Sequence, residues 1–327
     1  MRYPFETVGI FGARPGGGSP LAVVHDADGL GVPAMERIAA GLRVDETVFV
    51  LSPTAPGATH RVRVFTARGE SPFGGHSAVG TAVALVRSGR LAPGRVVQQC
   101  GEKLLELDAG PDEAVVTASG ALPCEELAAG PLLRAAGLAP ADLGGGPPLA
   151  AGFGPRFHLL PVRRKAVGAA RADEAAMRRE GLPDLFVFHW DATTRTATAR
   201  LFAPGYAIPE DPACASAALG LGVWLAAHHG SAEVRTRGAA GGPAHGLPGE
   251  PPGGLTDELP GGRLDFRVGQ GAELGRPSVL RCSVTLGDGD GDGDGDGGRD
   301  GALTVTVGGR APRELAGEFT VGEEPGR

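Results

Sequence analysis

Two stretches of the chain, 140 residues apart, gather the side chains best suited to chemistry on a small anion. The first runs Glu70-Ser71-Pro72-Phe73-Gly74-Gly75-His76-Ser77-Ala78, and the second Glu210-Asp211-Pro212-Ala213-Cys214-Ala215-Ser216-Ala217-Ala218. Each follows a strand-like run ending Arg-x-Phe (Arg63-Val64-Phe65; Arg200-Leu201-Phe202) and opens into an uncharged Ala/Val/Leu/Gly run of helical character. The helix starts would carry His76 and Ser77 in one copy and Ser216 in the other, beside small residues that admit a ligand to the backbone. The unpaired N–H groups and the positive dipole end of a helix start favour an anion. If the two starts face each other they flank one cleft, and a small carboxylate is its natural ligand. Two capped core helices, with no ligand at all, are the plainer reading of the same echo. A thiol at a helix start has its pKa lowered, so Cys214 could serve as a base, but a buried, space-filling cysteine is the preferred reading.

The elements that must position these residues are legible in outline. Strands are expected at Thr7–Phe11, Pro20–Val24, Glu46–Leu51 and His60–Phe65, the last alternating so that Val62 and Val64 share a face. A short helix is expected at Pro33–Gly41 and an apolar one at His76–Val86, followed by strands at Val96–Cys100, Lys103–Leu107 and Ala114–Ala118. The second half repeats the order: strands at Phe157–Val162, Leu185–His189 and Thr196–Phe202, a long apolar helix at Ala213–His228, then strands at Arg263–Val268, Val279–Leu286 and Leu303–Val307. The duplication predicts an α/β (α+β) fold of two pseudo-symmetric lobes, each a curved, mostly antiparallel sheet wrapped around one central helix. The lobes are expected at residues 1–120 and 121–327, with the last strand free to return to the first lobe.

Composition sharpens this. Glycine (56) and proline (28) make up about a quarter of the 327 residues, where low complexity becomes a live reading, but 42% of the chain is hydrophobic and supplies a large core. Much of the excess is local. Residues 238–262 hold 9 glycines and 5 prolines, and residues 287–301 are almost pure Gly-Asp. Both tracts fall between expected elements, where long inserts cost little closure entropy, and their acids, less Arg299, outweigh the whole formal net charge of −7. The remaining body is close to neutral, and with no basic face it gives no sign of a nucleic-acid partner. The Gly-Asp run is not an EF-hand, because the twelfth position, which should be Glu, is Arg299 or Gly301 when counted from Asp288 or Asp290. Cys100, Cys124, Cys214 and Cys282 lie far apart with no metal-ligand spacing, and no metal or cofactor is expected. The N-terminal run lacks the basic start and apolar core of a secretory signal, and Pro212–Gly230 reads as a buried helix rather than a span, so a soluble cytoplasmic protein with no membrane partner is expected.

Five blocks in order resemble the phenazine-biosynthesis isomerase (PhzF-like) family. They are GGGSPLAVV from Gly16; Asp45-Glu46-Thr47-Val48-Phe49-Val50; Arg63-Val64-Phe65-Thr66 with Glu70-x-Pro72-Phe73-Gly74-Gly75-His76; Phe202-Ala203-Pro204 with Glu210-Asp211-Pro212; and Gln270-Gly271-Ala272-Glu273-Leu274-Gly275-Arg276-Pro277-Ser278. The resemblance covers nearly the whole chain outside the two inserts and implies the diaminopimelate epimerase-like fold, with the site between the lobes. It implies a cofactor-independent isomerase moving a proton on a small, dihydro-hydroxyanthranilate-like carboxylic acid. Glu46 would be the acid/base, a role that burial supports by raising a carboxyl pKa toward neutrality. His76 would polarise or hydrogen-bond the substrate, Asp211 would lie beside it, and Ser216 would bind its carboxylate, with Gly75, Ser77, Cys214 and Ala215 completing the binding set. The sequence departs from the family pattern at Ser19, where the family has Asn, and at Cys214-Ala215, where it has Thr-Gly. Ala215 adds a methyl group where backbone approach is needed, which tightens or displaces the anion pocket. The superfamily's two-thiol racemases use a cysteine at each helix start; here only Cys214 is present, so a Cys-assisted epimerase of an amino or hydroxy acid is the alternative, with a non-catalytic small-acid binder as a third reading. Enzymes of this type often form homodimers.

Overall fold

The computed structural model describes residues 1–66, 69–71, 77–121, 124–206, 208–229, 262–286 and 303–321. The Gly/Pro-rich insert (apart from Gly262) and the Gly-Asp insert lie outside the described residues, as do Gly75 and His76.

The first half contains β1 (Arg2–Ile10), β2 (Ser19–Val24), α1 (Val32–Leu42), β3 (Glu46–Leu51), β4 (His60–Thr66), the short β5 (Gly69–Ser71), α2 (Ala78–Arg87), β6 (Gly94–Cys100), β7 (Lys103–Ala109), β8 (Glu113–Gly120) and β9 (Cys124–Glu126). The second contains α3 (Ala129–Ala135), β10 (Leu149–Ala151), β11 (Phe157–Pro161), α4 (Arg164–Ala169), α5 (Glu174–Arg179), β12 (Leu185–Asp191), β13 (Thr196–Ala203), β14 (Ile208–Asp211), α6 (Ala215–His229), β15 (Arg263–Gln270), β16 (Ser278–Leu286), β17 (Leu303–Arg310) and β18 (Arg313–Thr320). The central helices begin two residues later than the sequence suggests, at Ala78 rather than His76 and at Ala215 rather than Ala213. The preceding residues, Ser77 and Cys214, supply the first helical carbonyls, to the N–H groups of Thr81 (2.9 Å) and Ala218 (3.1 Å).

Strand pairing repeats between the halves. In the first, β1–β2 is antiparallel, β2–β3 parallel, β3–β4 antiparallel, β4–β6 parallel, and β6–β7 and β7–β8 antiparallel. The second gives the same series for β10, β11, β12, β13, β15, β16 and β17. The two series join where β8 runs antiparallel to β17 over eight residue pairs, from Glu113↔Arg310 to Gly120↔Leu303. Each series also has an outermost strand: β18 pairs with β1, and β9 with β10.

One continuous core is built from residues of both strand series and packs around α2 and α6. Nine residues of α2, Ala78 to Val86, are buried, and α6 is apolar on every side, as expected of a helix enclosed by sheet. Both helices approach the sheet at a glycine. A Cβ on Gly80 would lie 2.7 Å from Leu21 Cδ2, and one on Gly220 would lie 2.6 Å from the Ala151 carbonyl oxygen. The outer faces are covered differently. In the first half α1 packs Met35 with Phe49 and Phe65, while in the second α3, α4 and α5 cover Leu160, Val187 and Phe202.

Candidate active site

Glu46 opens β3 opposite Leu21 of β2. Val48 and Val50, on the same face, enter the core around α2, so alternation turns the Glu46 side chain toward that helix. Glu46 as a whole is half-buried. Ser77, the residue before α2, is buried, and among the described residues its Oγ has no hydrogen-bond partner.

In the second lobe β14 ends at Asp211, which is buried and lies opposite Leu201 of β13. Its Oδ1 accepts the Ala213 N–H at 3.0 Å, a local turn that aims the chain into α6. Gln270 clamps the turn: its Nε2 donates to the Asp211 carbonyl at 3.1 Å and its Oε1 accepts the Cys214 N–H at 3.4 Å. Ala215 is buried, and Ser216, on the first turn of α6, is partly exposed.

The thiol of Cys214 is buried, in line with the space-filling reading and not with an activated base. Burial pushes its pKa well above the ordinary thiol value, and the nearby Asp211 charge adds to the rise. The backbone N–H groups of Ser216 and Ala217 lie against the sulfur and act in the opposite direction, but they do not prevail. A helix start lowers a thiol pKa and burial in apolar surroundings raises it; here burial prevails, and the thiol occupies donors expected to face an anion.

The lobes meet beside this turn. Gly12 bridges to Ser278, and the Val279 N–H donates to the Phe11 carbonyl at 2.9 Å. Arg276 donates from Nε to the Gly18 carbonyl (2.7 Å) and from Nη2 to Glu314 (2.9 Å). A Cβ on Gly271 would meet the Arg276 and Pro212 carbonyl oxygens at 2.4 and 2.8 Å, so the 271–276 turn lies directly on the segment leading into α6. The loop before β2, neighbour of the strand that carries Glu46, is therefore tied to the turn that carries Asp211.

A further acid was not singled out from the sequence. β3 and β4 align Thr47 with Phe65, and β12 and β13 align Leu185 with Phe202, so Glu46 has its counterpart at Asp184. Asp184 is fully buried. Its Oδ1 accepts the His158 N–H at 2.9 Å and pairs with His158 Nδ1 at 3.2 Å, while Oδ2 has no partner among the described residues. Its charge contributes, behind burial, to raising the Tyr206 and Cys214 pKa values. The available signal was Asp184 before Leu-Phe-Val-Phe, which matches Glu46 before Thr-Val-Phe-Val. Among the described residues no group of three or more His, Cys, Asp or Glu side chains could hold a metal ion, and no helix is long and apolar enough to cross a membrane.

A family model described as "Phenazine biosynthesis-like protein" matches residues 8–250. The trans-2,3-dihydro-3-hydroxyanthranilate isomerase of Pseudomonas chlororaphis is 32% identical over 232 residues, covering 68% of this chain and 80% of its own length. Antisense-enhancing sequence 1 of Schizosaccharomyces pombe is 26% identical over 97% of this chain and 98% of its own length. The crystal structure of a PhzF-family phenazine biosynthesis protein from Bacillus anthracis superposes with a TM-score of 0.74 at 20% identity, over 98% of this chain and 100% of that one.

Proposed function

This chain belongs to the phenazine biosynthesis-like (PhzC-PhzF) family and is an isomerase, and from that premise we propose that it moves a proton between atoms of a small carboxylic acid, with Glu46 as the shuttle. The observation that supports this reading is the position of Glu46: first residue of β3, half-buried, on the strand face that turns toward the core around α2. A carboxyl shielded in this way can take up a proton and return it without leaving its strand. The substrate carboxylate would lie between the helix starts, near Ser77 and Ser216, with Asp211 and His76 beside the reacting atoms and Gly75 and Ala215 at the backbone. Cys214, protonated and buried, fills space and caps α6 rather than acting as a base.

The test is solvent-deuterium incorporation into a dihydro-hydroxyanthranilate-type acid by wild type and Glu46→Gln. Loss of at least ~100-fold is expected if a general acid/base is removed, with an unchanged melting temperature showing that the variant is folded. Equal incorporation by both proteins overturns the assignment. Cys214→Ala is expected to retain its activity, and its inactivation would revive a thiol-assisted epimerase.

A further inference from the structure

We propose that the outer face of the first lobe binds a small carboxylate in the cavity beside Arg61 and Arg63, a site separate from the cleft between the helix starts. The cavity has a volume of about 740 Å³ and is lined by Thr54, Arg61, Arg63, Ser71, Gln99 and Lys103, with Glu70, Glu102 and the backbone of the β6–β7 turn completing its wall. That volume suits a small ligand. The cavity lies where β5 and β6 both leave the same edge of β4, β5 pairing with residues 64–66 and β6 with residues 60–62.

The second lobe shows what its counterpart holds. Arg200 occupies the position of Arg63, and both bind a glutamate through Nε and Nη2, Glu210 in one lobe and Glu70 in the other. Arg200 has a third attachment: its Nη1 donates to the Ala170 carbonyl at 2.7 Å and to the Val167 carbonyl at 3.4 Å, two acceptors at the C-terminal end of α4. Among the described residues the first lobe brings no helix to this place and Arg63 Nη1 has no acceptor; Arg63 lines the cavity instead. A second difference keeps the split open. Counting along the paired strands puts Cys100 where the second lobe has Gln270, the residue that closes the corresponding gap by clamping Asp211 and Cys214.

The ligand class follows from the missing acceptors. Two carbonyl oxygens at a helix C-terminus present partial negative charge to one edge of a guanidinium. A carboxylate presents two oxygens with full charge to the same edge, in the planar geometry that arginine matches and a point-charge lysine does not. Arg61, which reaches the Ser52 carbonyl through Nε at 3.1 Å, adds a second guanidinium at the rim. The Gln99 side chain is already committed to Thr54, Ala55 and Gly101, so it fixes the wall.

The experiment is calorimetric titration of the full chain with malonate, succinate and inorganic phosphate at fixed ionic strength, combined with amide exchange under each ligand. A dicarboxylate is expected to bind in the millimolar range, to protect residues 61–63 and 99–103, and to bind more tightly than phosphate. Arg63→Lys keeps the charge beside Glu70 but removes the spare edge, and is expected to weaken binding about tenfold, ~1.4 kcal/mol; Arg61→Gln is the second variant should the first not fold. Absence of protection at 61–63 and 99–103, unchanged affinity in a folded variant, or tighter binding of phosphate overturns the proposal. None of these readouts depends on turnover, so Glu46 can fail its own test without affecting this one.

Discussion

Arg63–Glu70 and Arg200–Glu210 are one device in two settings. In both, the guanidinium is gripped by two parallel bonds and lies over the phenylalanine two residues on, Phe65 at 5.5 Å or Phe202 at 4.8 Å. The side chains of the first pair are 28% and 40% exposed, those of the second 6% and 12%. The difference comes from the outer layer, because α4 covers Arg200 and nothing equivalent among the described residues covers Arg63. The same bonds therefore have different consequences when broken. A buried guanidinium cannot be removed without stranding its partner in low dielectric, whereas an exposed one is replaced by water.

The sharpest way to break the comparison is Arg200→Ala. It leaves Glu210 uncompensated and takes the donor from Ala170, and is expected to cost about 3–5 kcal/mol, measured by urea denaturation. Because Glu210 adjoins Asp211, isomerase activity should fall with it. A loss below about 1 kcal/mol would mean that burial by α4 does not distinguish the pairs.

The lobes also differ in acid response. His60 on β4 corresponds to Ala197 on β13, and its imidazole is buried between Thr59 Oγ1 and Gln98, so burial pushes its pKa down to about 4. The unfolded chain, with an ordinary histidine value near 6.5, takes up the proton first. Stability is therefore fully present above about 6.5 and is lost as pH falls toward 4, by up to about 3 kcal/mol. His60→Gln is expected to flatten the stability–pH curve between those limits, and a variant curve parallel to wild type would overturn the assignment.

The glycine contacts of the central helices give a smaller contrast. Gly220→Ala would drive a methyl group against the Ala151 carbonyl oxygen, a backbone atom that cannot rotate away, and overpacking of this kind costs about 1–3 kcal/mol. In Gly80→Ala the nearest atom is the end of Leu21, which can change rotamer, and alanine's better helix propensity offsets part of the strain by up to ~1 kcal/mol. Thermal melts of the two variants should differ in that order; equal shifts would show that both helices are held equally tightly.

What could be read before the structure was the half of this comparison written in residue type. Arg-x-Phe, Glu-x-Pro and an uncharged helix recur in the same order, and that order was sufficient for the duplication and the central helices, whereas Glu46 was singled out only by the family resemblance. The bidentate Arg–Glu pairs were not legible, because β5 and β14 are only three and four residues long and leave no periodic pattern. Asp184 was missed because its match to Glu46 lies in strand register rather than identity. The rise in the Cys214 pKa depends on enclosure by neighbours far apart in sequence, which a local helix-start argument does not contain.

The smallest expected effect tests the exposed side of the comparison. Arg63→Ala should cost about 0–1 kcal/mol, because Glu70, left alone, turns to water. The pair still has a signature in pH. The bonds from Arg63 hold the Glu70 carboxyl below its ordinary value, so their contribution is present above about 4.5 and is lost as pH falls through the lowered folded value. Wild type and Arg63→Ala should therefore differ slightly near neutrality and converge in acid, whereas Arg200→Ala stays far below wild type near neutrality. If Arg63→Ala proves as damaging as Arg200→Ala, the first pair is enclosed in solution as the second is. The open cavity beside Arg63, and the carboxylate assigned to it, would then have to be given up.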